Sequence, residues 1–529
     1  MRRLFLVGFA LTLGVTARAD VKPHPLFTDH MVLQRGIEIP VWGKAEPGEK
    51  VKVTLGKSDA TATADDKGMW AVKLPKSDAA TGLTLSIHGN NEIELKDVAV
   101  GEVWVCSGQS NMEWKVKQLT NGEQSEKVAS AAKNANIRLF TVPNRPSAKP
   151  EYDFPVSDTE GKWLECNAEN VTEFSAVGYF FGRDIQKALN VPVGLIASDW
   201  GGTSCQSWTS REALSAKPEL KYYVDQHDAT MKNYDPDKAE AAYKKSLENW
   251  KVAAEKAKAD GKPAPQQPRK AGNPSSSPTT TTLYNGMIAP IQHFAIKGAI
   301  WYQGESNAGK AAEYYTLYPA MIADWRKQWG YDFPFIGVQL APFRGGSSGV
   351  DYAELRDSQY HATKVLKHVG IAIITDAGDE TDIHPQQKEP VGVRLALSAR
   401  ALAYGHKVEY SGPVYKNVEV DGDNLILSFD HVGGGLVANG ETLTGFTVCG
   451  DDKVFKPAKA KIVGETIVVT SGDIAKPIAV RYGWVNFAKP TLNFGNKAGL
   501  PAVPFRTDDF PLTTAPTPKP APMPALKKS

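Results

Sequence analysis

The sequence predicts a mostly parallel α/β core with an all-β region on either side, and three observations carry that expectation. From about residue 99 to 405, short apolar runs alternate with helix-period stretches, and each run ends in small or polar residues. Such alternation requires parallel strands buried on both faces under layers of helix. From 21 to about 98, and again from about 410 to 510, apolar and polar residues alternate over short runs broken by turn residues. That is the pattern of antiparallel strands with one face in a core. The third observation is size: 529 residues, 42% hydrophobic and 23% charged, give room for three soluble globular units.

The chain opens with "MRRLFLVGFALTLGVTARAD", in which two arginines, an apolar stretch and Ala17-Arg18-Ala19 read as a secretory signal over residues 1–19. Its apolar stretch, about 12 residues from Leu4 to Val15, is short of the roughly 20 needed to cross a bilayer, and no later segment reaches that length. An exported chain with no membrane insertion is expected. The formal charge of +2 leaves no broad basic surface for nucleic acid.

Residues 20–98 carry "EIPVWGKA", "KVKVTLG", "MWAVKLP" and "LTLSIHG", separated by turns at Pro47-Gly48 and Asp66-Lys67-Gly68. They read as a β-sandwich that either packs on the next domain or binds sugar. Residues 99–405 hold the strand candidates "VGEVWVCSG", "VPVGLIASDWGG", "IKGAIWYQGES", "FPFIGVQLA" and "VGIAIITDAG". Between them "SAVGYFFGRDIQKAL" sets Phe181, Ile185 and Leu189 at helical spacing behind a Ser175 cap. Residues 212–282 interrupt the alternation. A helix capped at Asp235-Pro236, with Tyr243, Leu247, Trp250 and Ala254 on one face, precedes the Pro/Ser/Thr-rich run "GKPAPQQPRKAGNPSSSPTTTT". This insertion is read as a lid beside the site or a solvated excursion. Residues 406–510 form the second β region, expected to pack on the first, and 511–529 a Pro-rich disordered tail.

Parallel sheets bind ligands at the carboxyl ends of their strands, and the chemistry-bearing residues fall there. Ser110 follows the first apolar run in "SGQSNMEW". A serine after a tight glycine turn can present its hydroxyl above the sheet with its own N–H free for an oxyanion. Met112 stands where the α/β-hydrolase elbow requires glycine, so that motif is excluded. A base is required, and His384 in "TDAGDETDIHPQQKEP" has Asp379, Glu380 and Asp382 close upstream to orient its ring. Gly201 and Gly202 in "DWGGTSCQSW", and Gln303, Glu305, Ser306 and Asn307 in "WYQGESNAG", add oxyanion-donor candidates. Trp114, Trp200, Trp208 and Tyr302 are aromatic enough to stack on a sugar or to fill the core. Neither zinc spacing nor a phosphate-binding glycine fingerprint occurs, so neither a metal nor a cofactor is expected. Cys106, Cys166, Cys205 and Cys449 permit three disulfide pairings in an exported chain. A Cys106–Cys205 link would brace the site; buried free thiols are the alternative.

Taken in order, "GQSNMEW", "DWGGTSCQSW", "LYNGMIAP", "WYQGESNAG", "DIHPQQKEPVGVRLALSARALAYG", "FDHVGGGL", "AVRYGW" and "GLPAVPFRTDD" resemble the sialate O-acetylesterases. These are carbohydrate esterases of the SGNH-hydrolase superfamily, and the likeness runs from about residue 22 to 510. It implies a three-layer SGNH-type domain in which Ser110 is the nucleophile, His384 the base and Gly202 a backbone oxyanion donor. Gln303 is the side-chain donor it favours, ahead of Asn307. Superfamily relatives often place the acid three residues before the histidine, but Thr381 stands there. Asp382 is therefore the first choice, Glu305 the alternative and Asp379 the third. Gln109, Asn111, Trp200 and Asn307 are expected to meet the substrate, an O-acetylated sialic acid or glycan. Acetylated xylan or another plant polysaccharide is the rival substrate, and a non-catalytic carbohydrate-binding protein the rival of another class.

Overall fold

A strand of 17 residues, Glu92–Gly108, runs through two of the three β-rich parts of the molecule. The computed structural model describes residues 20–516 except 121, 269 and 271, so the expected signal at 1–19 and most of the expected tail lie outside the described residues. The first half of the strand pairs with Ala80–His88 and Val32–Gln34. Its second half lies between Val193–Asp199 and Gly298–Tyr302, parallel to both. The boundary expected at 98 thus falls inside one continuous strand.

The central sheet has the order Trp163–Cys166, Asn134–Thr141, Val193–Asp199, Glu92–Gly108, Gly298–Tyr302, Phe335–Val338, Val369–Ala372. Only the first of these is antiparallel to its neighbour. The chain fills one side of the long strand, with Val193–Asp199 inserted next to it last, and then crosses to the other, so the topology switches at the strand that ends beside Ser110. Successive residues point to opposite faces. Val103, Val105 and Trp301 join one core, and Trp104, Cys106 and Ile300 join the other. Helix Ala176–Leu189, capped by Ser175 Oγ accepting from Gly178 N at 3.0 Å, lies on the second face beside Glu389–Leu402. Helix Ala311–Trp329 covers the first face, with Asp351–Val365 packed beside it. The architecture is mixed α/β.

The N-terminal strands share the first-face core. Trp42 meets Phe27 at 4.8 Å and Phe294 at 6.4 Å between ring centroids. The Trp163 indole donates to Leu26 O at 2.9 Å. The C-terminal strands instead form two four-stranded sheets and a two-stranded pair around a core of their own. They are joined to the α/β part by a small apolar cluster of Ile371, Ile373 and Val503 and by polar contacts, which differs from the expected packing on the first β region. Buried Arg356 donates to Val485 O at 2.9 Å and Asn486 O at 2.8 Å, and Asn486 Oδ1 accepts from Tyr352 N at 2.9 Å. Part of the expected tail is anchored too: Glu354 accepts from Thr513 N at 2.6 Å and Thr514 N at 3.0 Å.

In the insertion, Pro236–Ala259 is a helix with Asp235 as its cap, but none of its residues is buried. On the expected apolar face, Trp250 Nε1 donates to Pro265 O of the returning loop at 2.7 Å. The base of the insertion is held by Tyr222 and Tyr223, whose hydroxyls both reach Glu313. All four cysteines are buried and free. No helix among the described residues is long and apolar enough to cross a membrane.

Candidate active site

Ser110 begins a one-turn helix, Ser110–Glu113, directly after the long strand. The turn depends on Gly108, whose φ is +143° and whose added Cβ would lie 2.1 Å from Tyr302 O. Only glycine fits so close to a neighbouring strand. Gln109 N donates to that same Tyr302 O at 2.9 Å. As the first helical residue, Ser110 has an N–H without an intrahelical acceptor.

Its hydroxyl lies 2.9 Å from His384 Nε2, across 274 residues of sequence. The imidazole stacks on Trp114, with centroids 5.1 Å apart and planes 22° from parallel. Partial burial, and then the charge of Lys388, hold its pKa below the ordinary 6.5, while Asp382 pulls the other way. A neutral imidazole is the form that can take a proton from Ser110.

The three carboxylates proposed to orient that ring have different surroundings. Asp382 Oδ1 lies 3.6 Å from His384 Nδ1 and accepts from the His384 backbone N at 2.8 Å; its side chain is 49% exposed. Asp379 turns away from the ring, with Oδ1 accepting from Thr381 N at 2.8 Å and Asp382 N at 2.9 Å. Those bonds hold its carboxyl below the usual carboxylate range. Glu305 lies behind Ser110, with Oε1 accepting from Asn111 Nδ2 at 2.6 Å and Oε2 buried with no partner among the described residues. Burial raises its pKa.

The glycine pair sits against Ser110: a Cβ on Gly201 would come 3.2 Å from Ser110 Cβ. Gly201 N donates to Glu113 Oε2 at 2.7 Å. Gly202 has φ +72° and open space around it, and its N–H has no acceptor among the described residues.

Gln303 departs from the expected donor role. It is fully buried, and its amide nitrogen donates to Asn307 Oδ1 at 2.7 Å and Thr203 O at 3.2 Å, which leaves no hydrogen for an oxyanion. The expected substrate contacts are largely internal as well. Gln109 is buried, with Oε1 accepting from Ser306 N at 3.2 Å. Asn307 accepts from Cys205 N at 2.9 Å and donates to Gln206 Oε1 at 3.1 Å. Asn111 is also buried, its amide held by Glu305, Ile383 O and Lys388. Of the aromatics, Trp208 and Tyr302 are buried and Trp114 stacks on His384, while Trp200 keeps part of its surface.

Two residues that periodicity did not single out hold the site together. Glu113 fixes the glycine pair from one helical turn after Ser110, and Lys388 lies buried behind Asn111. Glu113 stands inside the quoted "GQSNMEW", so its spacing from Ser110 was available. Nothing local marks Lys388 as buried.

The carbohydrate esterase, sialic acid-specific acetylesterase family model matches residues 270–400. Sialate O-acetylesterase from Mus musculus is 29% identical over 541 residues, covering 90% of this chain and 92% of the mouse protein. The Homo sapiens sialate O-acetylesterase is 26% identical over 508 residues, covering 88% of each. A crystal structure of a carbohydrate acetylesterase from Xanthomonas citri superposes with a TM-score of 0.78 at 35% identity, covering 93% of this chain and 100% of the other. The fold and these likenesses define a carboxylic ester hydrolase with acetylesterase activity. The chain belongs to the carbohydrate acetylesterases.

Proposed function

We propose that this protein is a serine O-acetylesterase that removes acetyl groups from sialic acid through an acetyl-Ser110 intermediate, on an SGNH-type catalytic domain. The observation that carries this reading is the 2.9 Å contact between Ser110 Oγ and His384 Nε2 at the carboxyl end of the central sheet. Ser110 Oγ attacks the acetyl carbonyl carbon while His384 Nε2 takes the hydroxyl proton. The oxyanion is held by Ser110 N and Gly202 N. His384 then gives its proton to the departing sugar oxygen, and water, deprotonated by the same nitrogen, releases acetate. Asp382 is the acid of the triad in this reading. It is the carboxylate nearest Nδ1, and catalytic hydrogen bonds are often long until substrate is bound. The N-terminal signal assigns the enzyme to export.

The likeness to the mouse and human sialate O-acetylesterases supports the choice of sialic acid, and acetylated xylan is the rival. Purified protein is expected to hydrolyse an aryl acetate, with Ser110→Ala and His384→Ala each lowering turnover by at least about 10³-fold in folded protein. Full activity in Ser110→Ala would sink the serine mechanism. Acetate release from O-acetylated sialic acid should exceed that from acetylated xylan; the reverse order moves the enzyme to plant polysaccharide.

A further inference from the structure

Lys388 stands immediately before helix Glu389–Leu402, a position where a lysine would ordinarily reach solvent. Here it is 1% exposed. Its Nζ lies over the rings of Trp114 and Tyr302, at 5.5 Å and 5.7 Å from their centroids. No carboxylate lies within salt-bridge distance of it among the described residues. Its hydrogen-bond acceptor is Asn111 Oδ1, at 2.5 Å. The amide nitrogen of that same Asn111 donates to Glu305 Oε1 at 2.6 Å and Ile383 O at 3.1 Å. The amide dipole is therefore aligned between a cation at its oxygen and a carboxylate at its nitrogen.

The chain positions of these groups matter as much as their distances. Asn111 follows the nucleophile and Ile383 precedes the base, so the Asn111–Ile383 bond ties the two halves of the site one residue from each reacting group. A buried cation without a direct counter-ion is costly. We infer that Lys388 and Asn111 are positioning residues, a strap in which Lys388 orients the Asn111 amide and Asn111 holds the histidine loop at the nucleophile. The inference rests on the Ser110–His384 reading above.

The strap has an electrostatic consequence. The groups facing Lys388 are Glu305 from the loop after strand Gly298–Tyr302, Asp382 and His384 from the histidine loop, and the rings of Trp114 and Tyr302. Burial brings the Lys388 pKa down to about 7, with Glu305 and Asp382 opposing. Below that pH it carries its charge, and this charge disfavours the imidazolium of His384. Lys388 therefore helps keep the base neutral over the range in which it would otherwise protonate.

The test is aryl acetate hydrolysis across pH by Lys388→Met, Lys388→Arg, Asn111→Ala and Ser110→Ala, each with its melting temperature. Lys388→Met and Asn111→Ala should lower kcat about 10²-fold, the size of a loss from small misplacement, with KM within about threefold. The acid limb of kcat/KM should move to higher pH in Lys388→Met and stay in place in Lys388→Arg, which keeps the charge. If Lys388→Met does not fold, Lys388→Gln replaces it. A folded neutral variant whose acid limb is unmoved makes Lys388 a packing residue and overturns the inference, as does wild-type kcat in Asn111→Ala. Ser110→Ala separates the layers. Inactive Ser110→Ala with an unmoved limb in the neutral variant overturns the strap alone, whereas active Ser110→Ala overturns the serine reading and the strap with it.

Discussion

The proposed nucleophile and the proposed base reach the site by opposite means. Ser110 ends a long strand paired on both sides, and the turn before it is set by backbone: Gly108 against Tyr302 O, and Gln109 N bonded to the same oxygen. His384 lies in a loop without regular structure between strand Val369–Ala372 and helix Glu389–Leu402. Side chains hold that loop: Asn111 on Ile383 O, Asp379 on the N–H groups of 381 and 382, and Glu380 paired with Arg344 and Lys489. Backbone pairing of this kind is part of the fold, so Ser110 cannot move without damage to the sheet. A side-chain tether can be cut while the sheet stands. Changes beside Ser110 should therefore cost stability and activity together, and changes beside His384 activity alone.

The largest effect is expected from Gly108→Ala. Its Cβ would meet Tyr302 O at 2.1 Å in a backbone conformation of φ +143°. Overpacking against rigid backbone costs about 2–3 kcal/mol. Thermal melting should show this together with a near-complete loss of esterase activity. A stable, active Gly108→Ala would break the contrast.

An intermediate effect is expected from Asp382→Asn. The wild-type carboxylate is 49% exposed and 3.6 Å from the ring, so solvent screens its hold on the imidazole. Turnover should fall about 10- to 100-fold, less than the roughly 10⁴-fold seen for a buried triad acid, with stability within about 0.5 kcal/mol of wild type. Glu305→Gln should lose less than Asp382→Asn, because an amide oxygen can still accept from Asn111. Parallel kinetics of the two decide which carboxylate serves His384; the opposite order would transfer the role to Glu305.

The smallest effect concerns pH. Burial and Lys388 depress the His384 pKa, so the neutral, proton-accepting form persists below the ordinary 6.5. The folded enzyme should gain kcat/KM as pH rises through that lowered value, and the acid limb should have its midpoint below 6.5. A midpoint above 6.5 would show that the carboxylates, not burial, dominate the base.

Much of this molecule was legible before any coordinates. The strand at Val193–Asp199, the helix Ala176–Leu189 with its Ser175 cap and the helix start at Asp235-Pro236 follow from periodicity, capping and turn chemistry. These depend on residues within a few positions of one another. Ser110 and His384 were legible because each stands after an apolar run, where a parallel sheet exposes its carboxyl ends. The insertion shows where periodicity misleads. Tyr243, Leu247, Trp250 and Ala254 do share a helical face, but no residue of that helix is buried.

The sequence by itself determined the alternation of strands and helices around the long strand, though not the strands Asn134–Thr141 and Trp163–Cys166, and the turn that lifts Ser110, since local sterics and hydrogen bonding decide those. Only the tertiary structure decided how the polar side chains divide their work. Gln303 is closed off by Thr203 and Asn307, Asn111 is drawn inward by partners 194 and 277 residues away, and a lysine at a helix start is buried beneath the catalytic pair. An amide or an ammonium has the same local signature whether it faces substrate or core. Its partners are set by which distant segments the sheet brings together, and that requires the fold.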